Sequence, residues 1–111
     1  MSAPGTAPGV LGPERVPDAL RAAGLDPRGV LEVVDGALRE DLALGPDVTT
    51  DAILPAGARG SASVVARGDG RLAGIPVAAA VVHRLARARG VDATVEVLVE
   101  DGRPVSAGRT V

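Results

Sequence analysis

The chain has 111 residues and a formal net charge of −2 at pH 7, a size that allows one domain with a modest hydrophobic core. All 12 cationic side chains are arginine, and the sequence lacks lysine, cysteine and every aromatic residue. This composition excludes a lysine Schiff base, a disulfide, a thiolate metal site and the aromatic platforms on which nucleic-acid bases stack. The weak negative charge and the short apolar runs argue against nucleic acid or a membrane as partner, so we expect a cytoplasmic protein.

Residues 1–29 are rich in proline, alanine and glycine, a composition typical of a flexible leader. One helical turn is expected within this segment, at Pro17–Ala23. Residues 30–111 are assigned to the folded domain.

A first long helix is predicted after this segment. Asp26 resembles an N-cap followed by proline at the first helical position, and Gly45-Pro46 ends the pattern. Asp35 and Arg39 are spaced to form an i,i+4 pair on its polar side. Its apolar stripe is formed by Leu31, Val34, Leu38 and Leu42.

The middle of the chain predicts a β-hairpin. Residues 60–67 have the composition of a strand, Gly68-Asp69-Gly70 has that of a hairpin turn, and residues 71–74 would form the returning strand.

A second helix is predicted from Pro76 to about residue 89, with Gly90 as its C′ residue. The predicted core stripe is Val77, Val81, Leu85 and Ala88. His83 falls on the more polar side, so a surface role is favoured over catalysis or metal binding. The cationic cluster in the last turns fits a solvated face or a subunit contact better than a phosphate site, because a helix C-terminus presents carbonyl groups; its members are Arg84, Arg87 and Arg89.

Residues 93–100 alternate between apolar and polar side chains, with Leu98 as the exception, and therefore predict a strand. The segment "EDGRP" predicts a turn, and "VSAGRTV" a further extended piece. Helices and strands in this order indicate an α+β fold with a small, mostly antiparallel sheet and two main helices. The extended pattern is interrupted at Val111, so we expect the chain to be one domain of a larger protein.

The stretch "EDLALGPDVTTDAI", residues 40–53, concentrates carboxylates and hydroxyls. Such side chains commonly bind nearby backbone N–H groups in caps and turns, so we favour a capping and turn-forming role for this stretch. Asp47, Thr49 and Thr50 are alternatively candidates for contacts at the edge of a substrate site or an interface. An independent metal site would need more converging oxygens.

Four segments in order resemble the N-terminal domain of quinolinate phosphoribosyltransferase, also called nicotinate-nucleotide pyrophosphorylase (carboxylating). They are "EDLALGPDVTT", "AILPA", "ASVVARGDGRLAGIPVA" and "VEDGRPVSAGRTV". The resemblance covers about Leu31 to Val111. It departs from the family at Pro46, which lies between the usual Gly-Asp pair, and at Asp69, where relatives carry a longer acidic side chain.

The resemblance implies a pentosyltransferase of de novo NAD biosynthesis. With Mg2+, such an enzyme makes nicotinate mononucleotide, CO2 and pyrophosphate from quinolinate and 5-phosphoribosyl 1-diphosphate. It also implies an α/β-hammerhead-like sandwich that precedes an α/β barrel, and a homodimer in which this domain covers the partner's barrel mouth. The family's catalytic residues lie in the barrel or the segment leading to it, so no catalytic or metal-binding residue is assigned to this chain, which is expected to be inactive alone.

Alternatives from other classes remain. One is the same domain in a molybdenum-transport relative. Another is a non-catalytic interaction module, or a carrier with a half-barrel-sandwich fold, although a biotin or lipoate carrier needs a lysine that the sequence lacks.

Overall fold

The computed structural model describes residues 8–43 and 60–111, with the backbone only at residues 41–43. Within these residues lie three α-helices and four short strands in two antiparallel sheets, which confirms the α+β class. A 3₁₀ turn at Pro13–Arg15 precedes the first helix. The helices are α1 (Val16–Ala22), α2 (Pro27–Ala43) and α3 (Ile75–Ala88), and the strands are β1 (Gly9–Val10), β2 (Gly70–Arg71), β3 (Glu96–Val97) and β4 (Pro104–Val105).

The core is assembled from α1, α3 and the strand pair β1–β3. Its fully buried members are Leu11, Val16, Ala19, Leu20, Ala79, Ala80 and Val97. Four of these seven belong to the segment predicted to be a flexible leader, so that prediction is wrong for residues 9–25. The physical reason is the spacing of Val16, Ala19 and Leu20, which places three apolar side chains on one face of α1. The expected helical turn at Pro17–Ala23 is confirmed and extends over two turns.

The prediction for α2 is confirmed at its start and at three positions of its stripe, whereas the side chain of Leu42 and the predicted end at Gly45-Pro46 lie outside what the structure describes. The Asp26 carboxylate accepts a hydrogen bond from the Gly29 N–H at 3.2 Å, as an N-cap should. Val34 is buried, and Leu31 and Leu38 are half-buried. Asp35 lies beside α3, where its Oδ1 is 3.7 Å from Nε of Arg84.

The buried face of α3 differs from the predicted one. Val81 is 37% exposed and Ala88 is also exposed, whereas Val77 and Leu85 are half-buried. The residues that are buried are Pro76, Ala79, Ala80 and Ala86. Alanines rather than valines face α1 because their short side chains let the two helix backbones approach closely around Ala19, which has no exposed surface.

The predicted hairpin at residues 68–70 is wrong. Residues 64–72 and residues 103–111 instead form one antiparallel pairing: Val65 lies opposite Thr110, and five residues further along Gly70 lies opposite Val105. Gly68 and Gly70 lack the positive φ that a two-residue hairpin turn requires. The Asp69 carboxylate crosses to the facing segment and accepts a hydrogen bond from the Ala107 N–H at 2.9 Å.

The predicted strand at residues 93–100 is confirmed in its centre, where β3 pairs with β1 and places Val10 opposite Glu96. Val97 is buried, Glu96 is exposed, and Leu98 is 41% exposed, as the broken alternation predicted. Glu100 is an exception, because it is only 8% exposed and its Oε1 accepts a hydrogen bond from Nε of Arg103 at 2.8 Å.

The predicted turn after β3 is confirmed and joined to α3 by one side chain. Gly102 has φ +86°, a conformation that glycine adopts without strain. Asp101 precedes it, and its carboxylate accepts hydrogen bonds from the N–H groups of Gly74 at 3.2 Å and Ile75 at 3.0 Å. Since Gly74 has no side chain to cap the helix, the N-terminus of α3 is capped by a residue 26 positions away.

We predict that Asp101→Ala lowers the free energy of unfolding by about 1–2 kcal/mol, because two backbone donors at the helix terminus lose a charged acceptor. Urea unfolding followed by far-ultraviolet circular dichroism measures this change. The control is Asp18→Ala, which removes a carboxylate that is 81% exposed and paired with Arg21, and should cost less than about 0.5 kcal/mol. Equal effects of the two substitutions would show that the capping contact does not stabilise the fold.

We predict that Ala79→Leu destabilises the protein by about 1–3 kcal/mol, because Ala79 is 1% exposed in the core cluster and close packing there leaves no room for three more carbon atoms. Ala78→Leu is a matched control, since Ala78 is exposed on the same helix and leucine has nearly the helix propensity of alanine. The same unfolding measurement applies. A variant with leucine at residue 79 that unfolds at the same urea concentration as the control would contradict close packing there.

Candidate functional site

The described residues enclose a pocket of about 610 Å³. It lies between the start of α1, the second turn of α2, the C-terminal half of α3 and residues 91–93. Residues at its rim, including Arg87 and Val91, are exposed, so the pocket opens to solvent. Its lining residues are Pro13, Val16, Pro17, Leu31, Ala80, His83, Arg84, Ala86, Arg87, Val91, Asp92 and Ala93.

His83 lines this pocket instead of occupying the predicted surface position. It is half-buried, and its Nε2 is 2.8 Å from the carbonyl oxygen of Leu11. A carbonyl oxygen can only accept, so Nε2 carries the proton and donates. The bond fixes α3 to the segment between β1 and α1. His83 therefore has a structural role in this arrangement.

The arginines at the end of α3 separate into two groups. Arg84 and Arg87 line the pocket, whereas Arg89 is exposed beyond the end of the helix. The separation follows from helix geometry, because residues three apart share a face. Their position at the last turns was evident in the sequence. The pocket beneath them was missed, because the wall that faces them is α1, which lies in the segment predicted to be a leader.

The sequence-predicted site residues Asp47, Thr49 and Thr50 lie outside the described residues. Within residues 8–43 and 60–111, His, Asp and Glu side chains do not gather in groups of three or more that suit a metal ion. In the same part of the chain, no helix has the length and apolar character needed to cross a membrane.

An exposed apolar surface is present on the sheet. Val10 is 58% exposed, Val64 is 69% exposed and Leu98 is 41% exposed. Hydrogen bonds connect the strands that carry them: the Leu98 N–H donates to the Val111 carbonyl, and the Val111 N–H donates to the Val64 carbonyl, each at 2.9 Å. We call Val10, Val64 and Leu98 the apolar sheet surface. Large apolar side chains exposed on hydrogen-bonded segments are typical of a contact surface.

Comparison with protein families gives one match, to the family described as "Quinolinate phosphoribosyl transferase, N-terminal domain", over residues 47–111. Comparisons with curated proteins and with solved structures give no significant match. The matched segment is more than half of the chain. It includes β2, α3, β3, β4 and the Asp101 turn, and it begins after α2. The chain therefore belongs to the quinolinate phosphoribosyltransferase N-terminal domain family.

Proposed function

We propose that the chain acts as the dimerisation and active-site-covering domain of a quinolinate phosphoribosyltransferase. In the proposed enzyme, phosphoribosyl passes from 5-phosphoribosyl 1-diphosphate to quinolinate with Mg2+, giving nicotinate mononucleotide, CO2 and pyrophosphate. The family match over residues 47–111 is the observation that carries the proposal. Because the reaction makes a pyridine nucleotide for NAD biosynthesis, a cytoplasmic location is proposed with it.

The cationic residues of the chain support a role without chemistry of its own. A substrate with two carboxylates and a diphosphate donor needs several cations around one point. The chain has no lysine, and its arginines on the sheet are used locally: Nη1 of Arg71 donates to the Gly102 carbonyl at 2.8 Å, and Arg103 pairs with Glu100. These contacts support the assignment of group transfer to residues outside this domain.

The apolar sheet surface supports a covering role. Three large apolar side chains exposed on connected strands lose contact with water when another surface packs on them, and this stabilises the complex by roughly 25 cal/mol per Å² of apolar area. Packing a lid on a barrel mouth also excludes water from the reacting groups beneath it. The proposed partner surface is the barrel of a second copy of the complete enzyme.

Incubation of the chain alone with quinolinate, 5-phosphoribosyl 1-diphosphate and Mg2+ is expected to give no nicotinate mononucleotide above the rate without protein. The physical reason is that the chain lacks lysine and that the pocket of the described residues carries two arginines, fewer cations than two carboxylates and a diphosphate need. Chromatography of the nucleotide products measures the outcome, and a complete enzyme of the family serves as the positive control. Formation of nicotinate mononucleotide by the chain alone would refute the proposal that this domain covers the active site without carrying out the reaction.

Alone in solution the 111-residue chain is expected to self-associate through the apolar sheet surface, because no proposed partner surface is present in the sample to cover it. Val64→Arg should shift sedimentation at micromolar concentrations towards the monomer. Val33→Arg is the matched control: Val33 is 72% exposed on α2, against 69% for Val64 on the sheet. If both substitutions change the sedimentation equally, or if the unsubstituted chain is monomeric at all concentrations, the sheet is not the contact surface.

A further inference from the structure

The pocket beside α3 has the dimensions and lining of a small-molecule site. Its volume of about 610 Å³ falls within the roughly 300–1,000 Å³ usual for ligand pockets. Most of its wall is apolar, and its charged groups are confined to one side and to the rim. The apolar wall consists of Pro13, Val16, Pro17, Leu31, Ala80, Ala86, Val91 and Ala93.

From this arrangement, we propose that the pocket binds a small molecule with an apolar body and a single carboxylate, which is held by Arg84 and Arg87. The site is separate from the apolar sheet surface and does not depend on the function proposed above. The apolar body would occupy the space against α1 and Leu31. The carboxylate would lie at the α3 side of the opening.

Arg84 and Arg87 are suited to this role because neither is committed to a short ion pair. Arg84 has Asp35 as a neighbour, but the distance of 3.7 Å from Nε to Oδ1 exceeds the 2.7–2.9 Å of a charge-assisted hydrogen bond. Arg87 forms no ion pair with a carboxylate in the described part of the chain. Each guanidinium has five N–H donors in a planar fork, which matches the two oxygens of a carboxylate.

The charges around the opening favour one negative charge over several. Asp92 lines the pocket and Asp35 lies next to Arg84, so two carboxylates offset much of the arginine charge. The C-terminus of α3 adds the negative end of a helix dipole. A phosphate or a dicarboxylate would meet repulsion from these groups, whereas a monocarboxylate needs only the donors that the two guanidinium groups supply.

His83 positions Arg84 and Arg87 but does not itself bind the small molecule. Its Nε2 proton is donated to the Leu11 carbonyl, so that donor is used within the protein. The bond holds the central turn of α3 against the wall formed by the N-terminal segment, and thereby fixes the helix face that carries Arg84 and Arg87. The pocket is thus built from rigid elements on at least two sides.

Octanoate is the probe for a test by nuclear magnetic resonance of the 15N-labelled chain. Titration should shift the amide signals of residues 83–93 in a saturable way. Octylammonium, with the same chain length and the opposite charge, should bind at least tenfold more weakly. The double variant Arg84→Gln/Arg87→Gln should lose at least tenfold in octanoate affinity. Arg21→Gln, on the exposed side of α1, is the matched control and should leave the affinity unchanged.

Several outcomes would overturn the proposal: no saturable shift, equal binding of octanoate and octylammonium, or unchanged affinity of the double variant. Circular dichroism establishes whether the double variant is folded. Should it unfold, the single variant Arg87→Gln decides, because Arg87 is exposed and its replacement cannot disturb the core. In that variant a loss of at least threefold in affinity supports the site, and no loss overturns it. None of these results depends on phosphoribosyl transfer, so failure here leaves the proposed function intact.

Discussion

The carboxylate of Asp101 connects the two halves of the family-matched segment. Its hydrogen bonds to the Gly74 and Ile75 N–H groups join the turn after β3 to the start of α3, across 26 positions of sequence. The same turn is held to β2 by the Leu72 N–H, which donates to the Arg103 carbonyl at 2.9 Å. Because all strands are short, such side-chain and turn contacts replace the long ladders that usually fix a sheet. The orientation of α3, and everything on its surface, depends on this junction.

The absence of aromatic residues determines how the core is closed. Valine, leucine and alanine must fill it, and the alanines at positions 19, 79 and 80 do so by allowing helix backbones to approach closely. This packing covers the first part of α3 well. Towards its C-terminal end, larger polar side chains follow, and no aromatic ring is present to fill the space opposite them. The pocket next to Arg84 and Arg87 is the physical consequence of that composition.

Short-range patterns in the sequence predicted several elements correctly. The wrong predictions concern contacts between residues that are far apart in the sequence. The Asp26 cap, the extent of α3 and the Gly102 turn are encoded by neighbouring residues, so they could be read directly. The partner of residues 64–72 could not, because Asp-Gly is typical of a hairpin and only the fold shows that the segment pairs with residues 103–111. The buried face of α3 was missed because valines outrank alanines in hydrophobicity, whereas close packing favours alanine.

The carboxylate of Glu96 limits which surfaces can pack on the apolar sheet surface. It lies opposite Val10 on an antiparallel pair, and is two residues from Leu98 on the same strand, so its carboxylate shares their face. Burying an unpaired carboxylate is costly, and interface centres are accordingly depleted of charge. A second copy of this same surface would bring two such carboxylates near each other. A barrel mouth that binds anionic substrates would carry cations instead, so the proposed partner would pair with Glu96, whereas self-association through the same face would leave the two carboxylates without cationic partners and keep that association weak.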